Sequence, residues 1–279
     1  MRLLNIIPVL LFSLFLSACS ITVTEQMIVS PSTDIDGDNL TSLIHQSGYK
    51  PRELKSDTDE LLYALEKEAP DSDTTLLVLH GNALNLSLQP WFGLMQSLAG
   101  LDINILAIDY RGFGYSEGEA SFSAMQEDAH TALQAIDENQ QIIIYGLSLG
   151  SVMALEGIND PRVKGVIIEG GVTTSDAMIE HFVSRNRLGS LASVQVDEKI
   201  NFDNLAALSS SAKPALIIHG EEDQNIPLHM GQSLYQSSGS ELSVFYPVSQ
   251  GQHCDTFIRD VDNFLPRVSS FINSLQTQG

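Results

Sequence analysis

Ser148 lies between two glycines in Gly146-Leu147-Ser148-Leu149-Gly150, with the apolar run Ile142–Tyr145 before it and the helix-compatible Ser151–Glu156 after it. A strand that becomes a helix within so few residues forces the central serine into a strained backbone conformation. A glycine on each side lets strand and helix pack that closely. The hydroxyl then projects at a helix N-terminus, where the peptide dipoles favour negative charge. A serine hydroxyl is a weak nucleophile at neutral pH and needs a base. Of the seven histidines, His253 in Gln250-Gly251-Gln252-His253 follows the last expected strand and precedes the terminal helix. His80 and His219 precede glycines at other strand ends and are expected to brace those turns. His45, His130, His181 and His229 have no motif around them. The imidazole in turn needs a carboxylate to hold one tautomer and to stabilise its transient positive charge. The segment His219-Gly220-Glu221-Glu222-Asp223 offers three adjacent acids, and chemistry alone does not choose among them.

Attack by Ser148 on an acyl group develops an oxyanion, which calls for two preorganised backbone N–H donors. Leu149, directly after the serine, supplies one. The second is expected from the loop His80-Gly81-Asn82-Ala83, with Asn82 as donor and Ala83 as the alternative. A frame must bring these distant segments to one place. The runs Leu76–Leu79, Ile103–Ile108, Ile142–Tyr145, Val163–Ile168, Ala215–Ile218 and Leu242–Tyr246 are short and bulky. Helical spacing separates most of them, as in Phe122, Met125, Ala129, Leu133 and Ile136. Buried strands alternating with amphipathic helices predict an α/β fold with a mostly parallel central sheet flanked by helices. Ligand sites in such sheets lie beyond the carboxyl ends of the strands, where each of these motifs falls. Residues 39–48 are expected to form a short helix, and 54–67 fit a helix or a strand equally.

Two further stretches carry a resemblance. Asp109-Tyr110-Arg111-Gly112-Phe113-Gly114-Tyr115-Ser116-Glu117-Gly118 resembles the D-x-R-G-x-G-x-S-x-G stretch of the α/β-hydrolase superfamily. His219 to Pro227 resembles its H-G-x-x-D-x-x-V/I-P. The likeness covers about 76–271 and looks closest to the esterase/lipase-like branch, which includes serine-aminopeptidase-like hydrolases and some membrane-tethered acyl-thioesterases. It implies the α/β-hydrolase fold with a small cap insertion at about 171–204. It assigns the acid to Asp223, completing the chain order Ser148, Asp223, His253, and makes the Arg111 stretch a turn beneath the active site. The implied activity is that of a serine hydrolase cleaving an acyl ester or thioester through an acyl-enzyme, with no cofactor or metal. Alternatives are a serine peptidase of aminopeptidase type on the same triad, and a non-catalytic surface lipoprotein that keeps the fold. Two departures stand out: Leu84 replaces a glycine and is expected to alter the floor of the acyl pocket, and Cys254 follows the base where a small or polar residue is usual. Met178, Phe182 and Val183 in the cap have a helical spacing that suits an acyl-pocket wall or plain core.

Arg2, the apolar Leu3–Leu16 and then Leu16-Ser17-Ala18-Cys19 resemble a bacterial lipoprotein signal; an ordinary secretory signal or a short membrane anchor is the alternative. The resemblance implies cleavage before Cys19 and lipidation of its thiol, with palmitate among the acyl groups. Ser20 after it favours sorting to the outer membrane, facing the periplasm. The expected organisation is a signal peptide at 1–18, a tether at 19–38 and the hydrolase domain at 39–279. A net charge of -21, from 35 acidic and 14 basic residues, repels phosphate backbones and argues against nucleic acid. The expected partners are a small acyl ester, thioester or peptide substrate, and the membrane through Cys19. With Cys19 lipidated, Cys254 has no disulfide partner, and no Cys/His set has zinc spacing. The acidic run Asp34–Asp38 fails as a calcium loop, because Leu43 stands where a bidentate glutamate is required.

Overall fold

The computed structural model describes residues 20–185 and 193–276; the expected signal peptide and Cys19 lie outside the described residues. The described chain begins with β1 (Ser20–Val23), α1 (Glu25–Ile28) and α2 (Gly37–Gln46), followed by the strands β2 (Lys50–Lys55), β3 (Leu61–Lys67) and β4 (Thr74–Leu79). Then come α3 (Trp91–Leu98), β5 (Asn104–Ile108), α4 (Phe122–Gln134), β6 (Gln141–Leu147), α5 (Gly150–Glu156) and β7 (Val163–Glu169). The cap region carries α6 (Ser175–Arg185) and β8 (Ser193–Val196), and α7 (Asn204–Ser210) leads back to the sheet. The chain ends with β9 (Ala215–Gly220), α8 (Leu228–Ser237), β10 (Val244–Val248), α9 (Thr256–Arg259) and α10 (Val261–Gln276).

Eight strands form one sheet in the order β10-β9-β7-β6-β4-β5-β3-β2. From β10 to β5 all pairs are parallel, while β3 joins β5, and β2 joins β3, antiparallel. The segment 54–67, ambiguous by periodicity, is therefore part of a hairpin at the sheet edge. The pleat sends successive side chains to opposite faces: along β4, Leu77 and Leu79 join one core layer and Leu76 and Val78 the other. The first layer is covered by α4, α5, α7 and α8, the second by α2, α3 and α10. Both faces are buried, as the near-continuous apolar strands require.

The expectation of a free tether over 19–38 is corrected from Ser20 onward. β1 pairs in parallel with β8 of the cap, from Ser20↔Ser193 to Val23↔Val196. Val23 and Val29 are buried. The buried Glu25 accepts from the Ser123 N–H (2.9 Å) and hydroxyl (2.6 Å) at the start of α4. Burial acts to raise the Glu25 carboxyl; Ser123 and Lys199 outweigh it and hold it below the usual carboxylate range. The polar composition of the stretch concealed these few anchoring residues. The acidic run within it starts a helix: Asp36 caps α2 by accepting the Asn39 N–H at 3.0 Å.

Arg111 is committed to the fold, as the expected turn requires. Its backbone N–H and Nε each donate to Asp128 at 2.7 Å, and Nη2 donates to Glu127 at 2.6 Å. Asp109, at the carboxyl end of β5, is fully enclosed; burial pushes its carboxyl from 3.8 to about 7, against the pull of the Leu86 and Tyr115 N–H donors. His80 lies 3.6 Å away, and burial pushes it down to about 4, so neither group is charged near pH 6. The folded state thus holds a proton on Asp109 that the unfolded chain releases. The stability this contributes is present below about pH 4 and is lost as the pH rises through 7. At about 1.4 kcal/mol per pH unit, the loss reaches about 4 kcal/mol. Asp109→Asn, neutral throughout, is expected to gain on the wild type by that amount between pH 4 and pH 8 in urea unfolding. Parallel pH dependences would show that the wild-type carboxylate is charged in the fold.

Candidate active site

Ser148 occupies the turn between β6 and α5 with φ of 53°, a left-handed conformation that costs on the order of 1–3 kcal/mol for a non-glycine residue. The neighbouring glycines make it possible by close approach. A Cβ on Gly146 would lie 2.4 Å from the Gly150 carbonyl oxygen, and one on Gly150 would lie 2.3 Å from that of Leu79. Backbone bonds hold the turn from both sides: the Ser148 N–H donates to Glu169 O (2.8 Å) and the Ser151 N–H to Ser148 O (2.9 Å).

The Ser148 Oγ is 2.9 Å from His253 Nε2, and His253 Nδ1 donates to Asp223 Oδ2 at 2.7 Å. The three sequence-derived residues thus form one hydrogen-bonded chain at the carboxyl ends of β6, β9 and β10. Asp223 Oδ1 accepts from the N–H groups of Asn225 (2.8 Å) and Ile226 (2.9 Å). Burial acts to raise this carboxyl; His253 and the two N–H donors outweigh it and hold it below the ordinary aspartate range. The neighbouring acids are exposed, and Glu222 accepts from the Gln252 side chain at 3.1 Å. The loops bearing Asp223 and His253 are tied directly, since Glu221 N–H donates to Val248 O and Glu222 N–H to Gly251 O, both at 2.9 Å.

Gly81 brings the β4 loop against the serine: a Cβ there would sit 3.1 Å from Ser148 Cβ. The Ala83 N–H is already spent on Ser30 O at 3.1 Å. Asn82 and Leu149 both line the cavity beside Ser148, and their backbone N–H groups donate to no group among the described residues. The Asn82 side chain is clamped by the N-terminal segment: its Oδ1 accepts from Ser30 N–H (2.7 Å) and its Nδ2 donates to Ile28 O (2.5 Å). Sequence reasoning did not anticipate that this segment would hold the loop.

A cavity of about 250 Å³ opens beside Ser148, walled by Val23, Met27 and Ile28 from the N-terminal segment and by Met178 and Ile179 from the cap helix. Met178 therefore lines the cavity, Val183 packs in the small cluster around Ile179 and Ile200, and the Phe182 side chain lies outside the description. Leu84 is corrected: it packs in the layer of α2 and α3 rather than on the floor of this cavity. His80 and His219 brace turns as expected, with ring nitrogens 2.6 Å from Gly81 O and 2.9 Å from Ile226 O. Cys254 sits beside the base with its thiol pushed up by burial and by Glu169 and Asp223, so it is held as the protonated, unreactive form.

Glu169 escaped the sequence analysis. Fully buried at the end of β7, it accepts from the Tyr145 hydroxyl on β6 and from the Thr256 hydroxyl beyond His253. It joins the strand that precedes the serine to the loop that carries the base. Burial pushes its carboxyl up, against the pull of Thr256, Tyr145 and His253. The available signal was an acid ending the apolar run Val163–Ile168, where a buried carboxyl needs a reason.

A family profile described as "Serine aminopeptidase, S33" matches residues 70–191. The uncharacterised protein YfhR of Escherichia coli K12 is 28% identical over 212 residues, covering 74% of this chain and 72% of that protein. Protein bem46 of Schizosaccharomyces pombe is 30% identical over 205 residues, covering 70% of this chain and 67% of its own. Among solved structures, an esterase of Pyrococcus furiosus superposes with a TM-score of 0.72 at 17% identity, over 88% of this chain and 98% of the esterase. At that identity the likeness is one of fold. Sequence relatives, family profile and fold agree: this protein belongs to the α/β-hydrolase superfamily.

Proposed function

We propose that the protein is a serine hydrolase that cleaves a small acyl ester or thioester, with Ser148 as nucleophile. The observation that carries this reading is the continuous chain from Ser148 Oγ through His253 to the buried Asp223. His253 Nε2 takes the hydroxyl proton as Oγ attacks the acyl carbon, and Asp223 stabilises the imidazolium that results. The oxyanion is received by the N–H groups of Asn82 and Leu149; one such donor contributes on the order of 3 kcal/mol to lowering the barrier. His253 then gives its proton to the leaving alcohol or thiol. Water, deprotonated by the same imidazole, releases the acid and restores Ser148.

The cavity favours an acyl substrate over an aminoacyl one. No charged side chain lines it among the described residues, whereas recognition of a free α-ammonium group calls for a carboxylate, because burying an unpaired charge is costly. The resemblance of residues 1–20 to a lipoprotein signal supports attachment of the enzyme to the cell envelope through Cys19, with Ser20 favouring the outer membrane.

A fluorophosphonate is expected to label Ser148, with Ser148→Ala abolishing the adduct; an undiminished adduct would move the nucleophile elsewhere. p-Nitrophenyl esters are expected to be turned over and aminoacyl arylamides not, and the reverse pattern would favour the peptidase. Asp223→Asn is expected to lower kcat by about ten-thousand-fold while the fold stays intact by circular dichroism, because the amide holds the wrong tautomer. Unchanged kinetics would pass the acid's role to another residue. Cys19→Ser is expected to leave the protein uncleaved or in the soluble fraction, and normal lipid labelling of that variant would remove the anchor from the reading.

A further inference from the structure

The reaction uses no side chain from the N-terminal segment, yet that segment carries a buried acid. Glu25 is 5% exposed and lies in the chain between Val23 and the pair Met27 and Ile28, all three of which wall the cavity beside Ser148. A carboxylate is costly to bury unless it is paired, so its partners fix where the segment sits. Its Oε1 accepts both the N–H and the hydroxyl of Ser123, at the start of α4, where the peptide dipoles favour an anion. Its Oε2 lies 3.6 Å from Lys199 Nζ in the cap region. The turn that bears it is closed by backbone bonds, from Met27 N–H to Thr24 O (3.0 Å) and from Val29 N–H to Glu25 O (2.9 Å). A displacement of Glu25 therefore carries Met27 and Ile28 with it. The segment is held by β8 on one side and by the Asn82 side chain on the other. Between those two attachments, the Ser123 bonds fasten it to the body of the protein.

We propose that Glu25 is a positioning residue: by latching the N-terminal segment onto α4 through Ser123, it sets the wall of the cavity and thereby the preference for acyl-chain length. This rests on the esterase reading above and adds the residue that tunes it. The latch acts on the chain of the substrate and not on the bond that breaks. Val23, Met27 and Ile28 meet what extends from the acyl carbon into the cavity, whereas Ser148, His253 and the N–H groups of Asn82 and Leu149 act at the carbonyl. An acetyl group offers that wall a single methyl. A hexanoyl group adds four methylenes, each contributing about four-fold to binding when it is buried. This contribution is equal in the ground state and the transition state, so its loss raises KM and leaves kcat unchanged.

The test compares steady-state kinetics of the full-length protein on p-nitrophenyl acetate and p-nitrophenyl hexanoate. Glu25→Ala is expected to raise KM for the hexanoate by about ten-fold or more, the worth of about two buried methylenes, with kcat unchanged. Its kcat/KM on the acetate is expected to stay within about two-fold of wild type. Glu25→Gln keeps the oxygen that accepts both Ser123 bonds and is expected to hold the hexanoate KM within about three-fold of wild type. Ser123→Ala removes one of the two bonds and is expected to raise that KM by about three-fold. An equal loss on both esters in Glu25→Ala would reduce Glu25 to a general stabiliser and overturn the latch. So would a Gln variant as impaired as the Ala variant, or a hexanoate KM that neither Glu25→Ala nor Ser123→Ala moves. Should Glu25→Ala fail to fold, Ser123→Ala decides alone. A wild type that hydrolyses neither ester would instead overturn the esterase reading, and the inference with it.

Discussion

The left-handed turn at Ser148 is the constraint around which the rest of the structure is arranged. Its strain persists because neighbours on every side over-determine it: β6 is paired in parallel with both β4 and β7, and α5 is pressed onto the sheet through Gly146 and Gly150. The same close packing draws the Gly81 loop against the serine and leaves the Asn82 and Leu149 N–H groups without partners among the described residues. A side chain at Gly146 or Gly150 would meet backbone at under 2.5 Å and push strand and helix apart, whereas one at Gly81 would press on Ser148 at 3.1 Å.

Around that turn, His253 and Asp223 are held by a lattice of short backbone bonds rather than by their side chains alone. The loops after β9 and β10 are tied at Val248 and Gly251, and Glu169 links the strand before the serine to the segment after the base. Buried carboxyl groups recur here: Asp109, Asp223 and Glu169 all sit at carboxyl ends of strands or just beyond them. Their environments separate them. Asp223 meets a base and two N–H donors and is held below the ordinary aspartate range, while burial dominates at Asp109 and Glu169 and pushes both upward.

The N-terminal segment changes the character of the site. By clamping Asn82 and walling the cavity, residues 23–30 make the approach to the serine depend on a stretch that adjoins the expected lipid attachment point. The cap segment, paired to the same stretch through β8, reaches the cavity at Met178 and Ile179.

The sheet and the turn at Ser148 were legible in the sequence because each depends on local rules: a glycine-flanked turn, and apolar strands whose burial on both faces leaves no alternation to disguise. Which of Glu221, Glu222 and Asp223 meets His253 needed a resemblance, since all three are carboxylates and only burial beside His253 separates them. Tertiary structure alone decided the rest. The edge hairpin, the fate of 20–38 and the position of Leu84 depend on which distant surface a segment meets, as does the purpose of Glu169. Val23 is an ordinary valine in a polar stretch until β8 and the cap helix lie beside it, and Glu25 is an ordinary acid until Ser123 supplies its two donors. Local patterns specify what a segment can become; long-range contacts select the partner that makes it so.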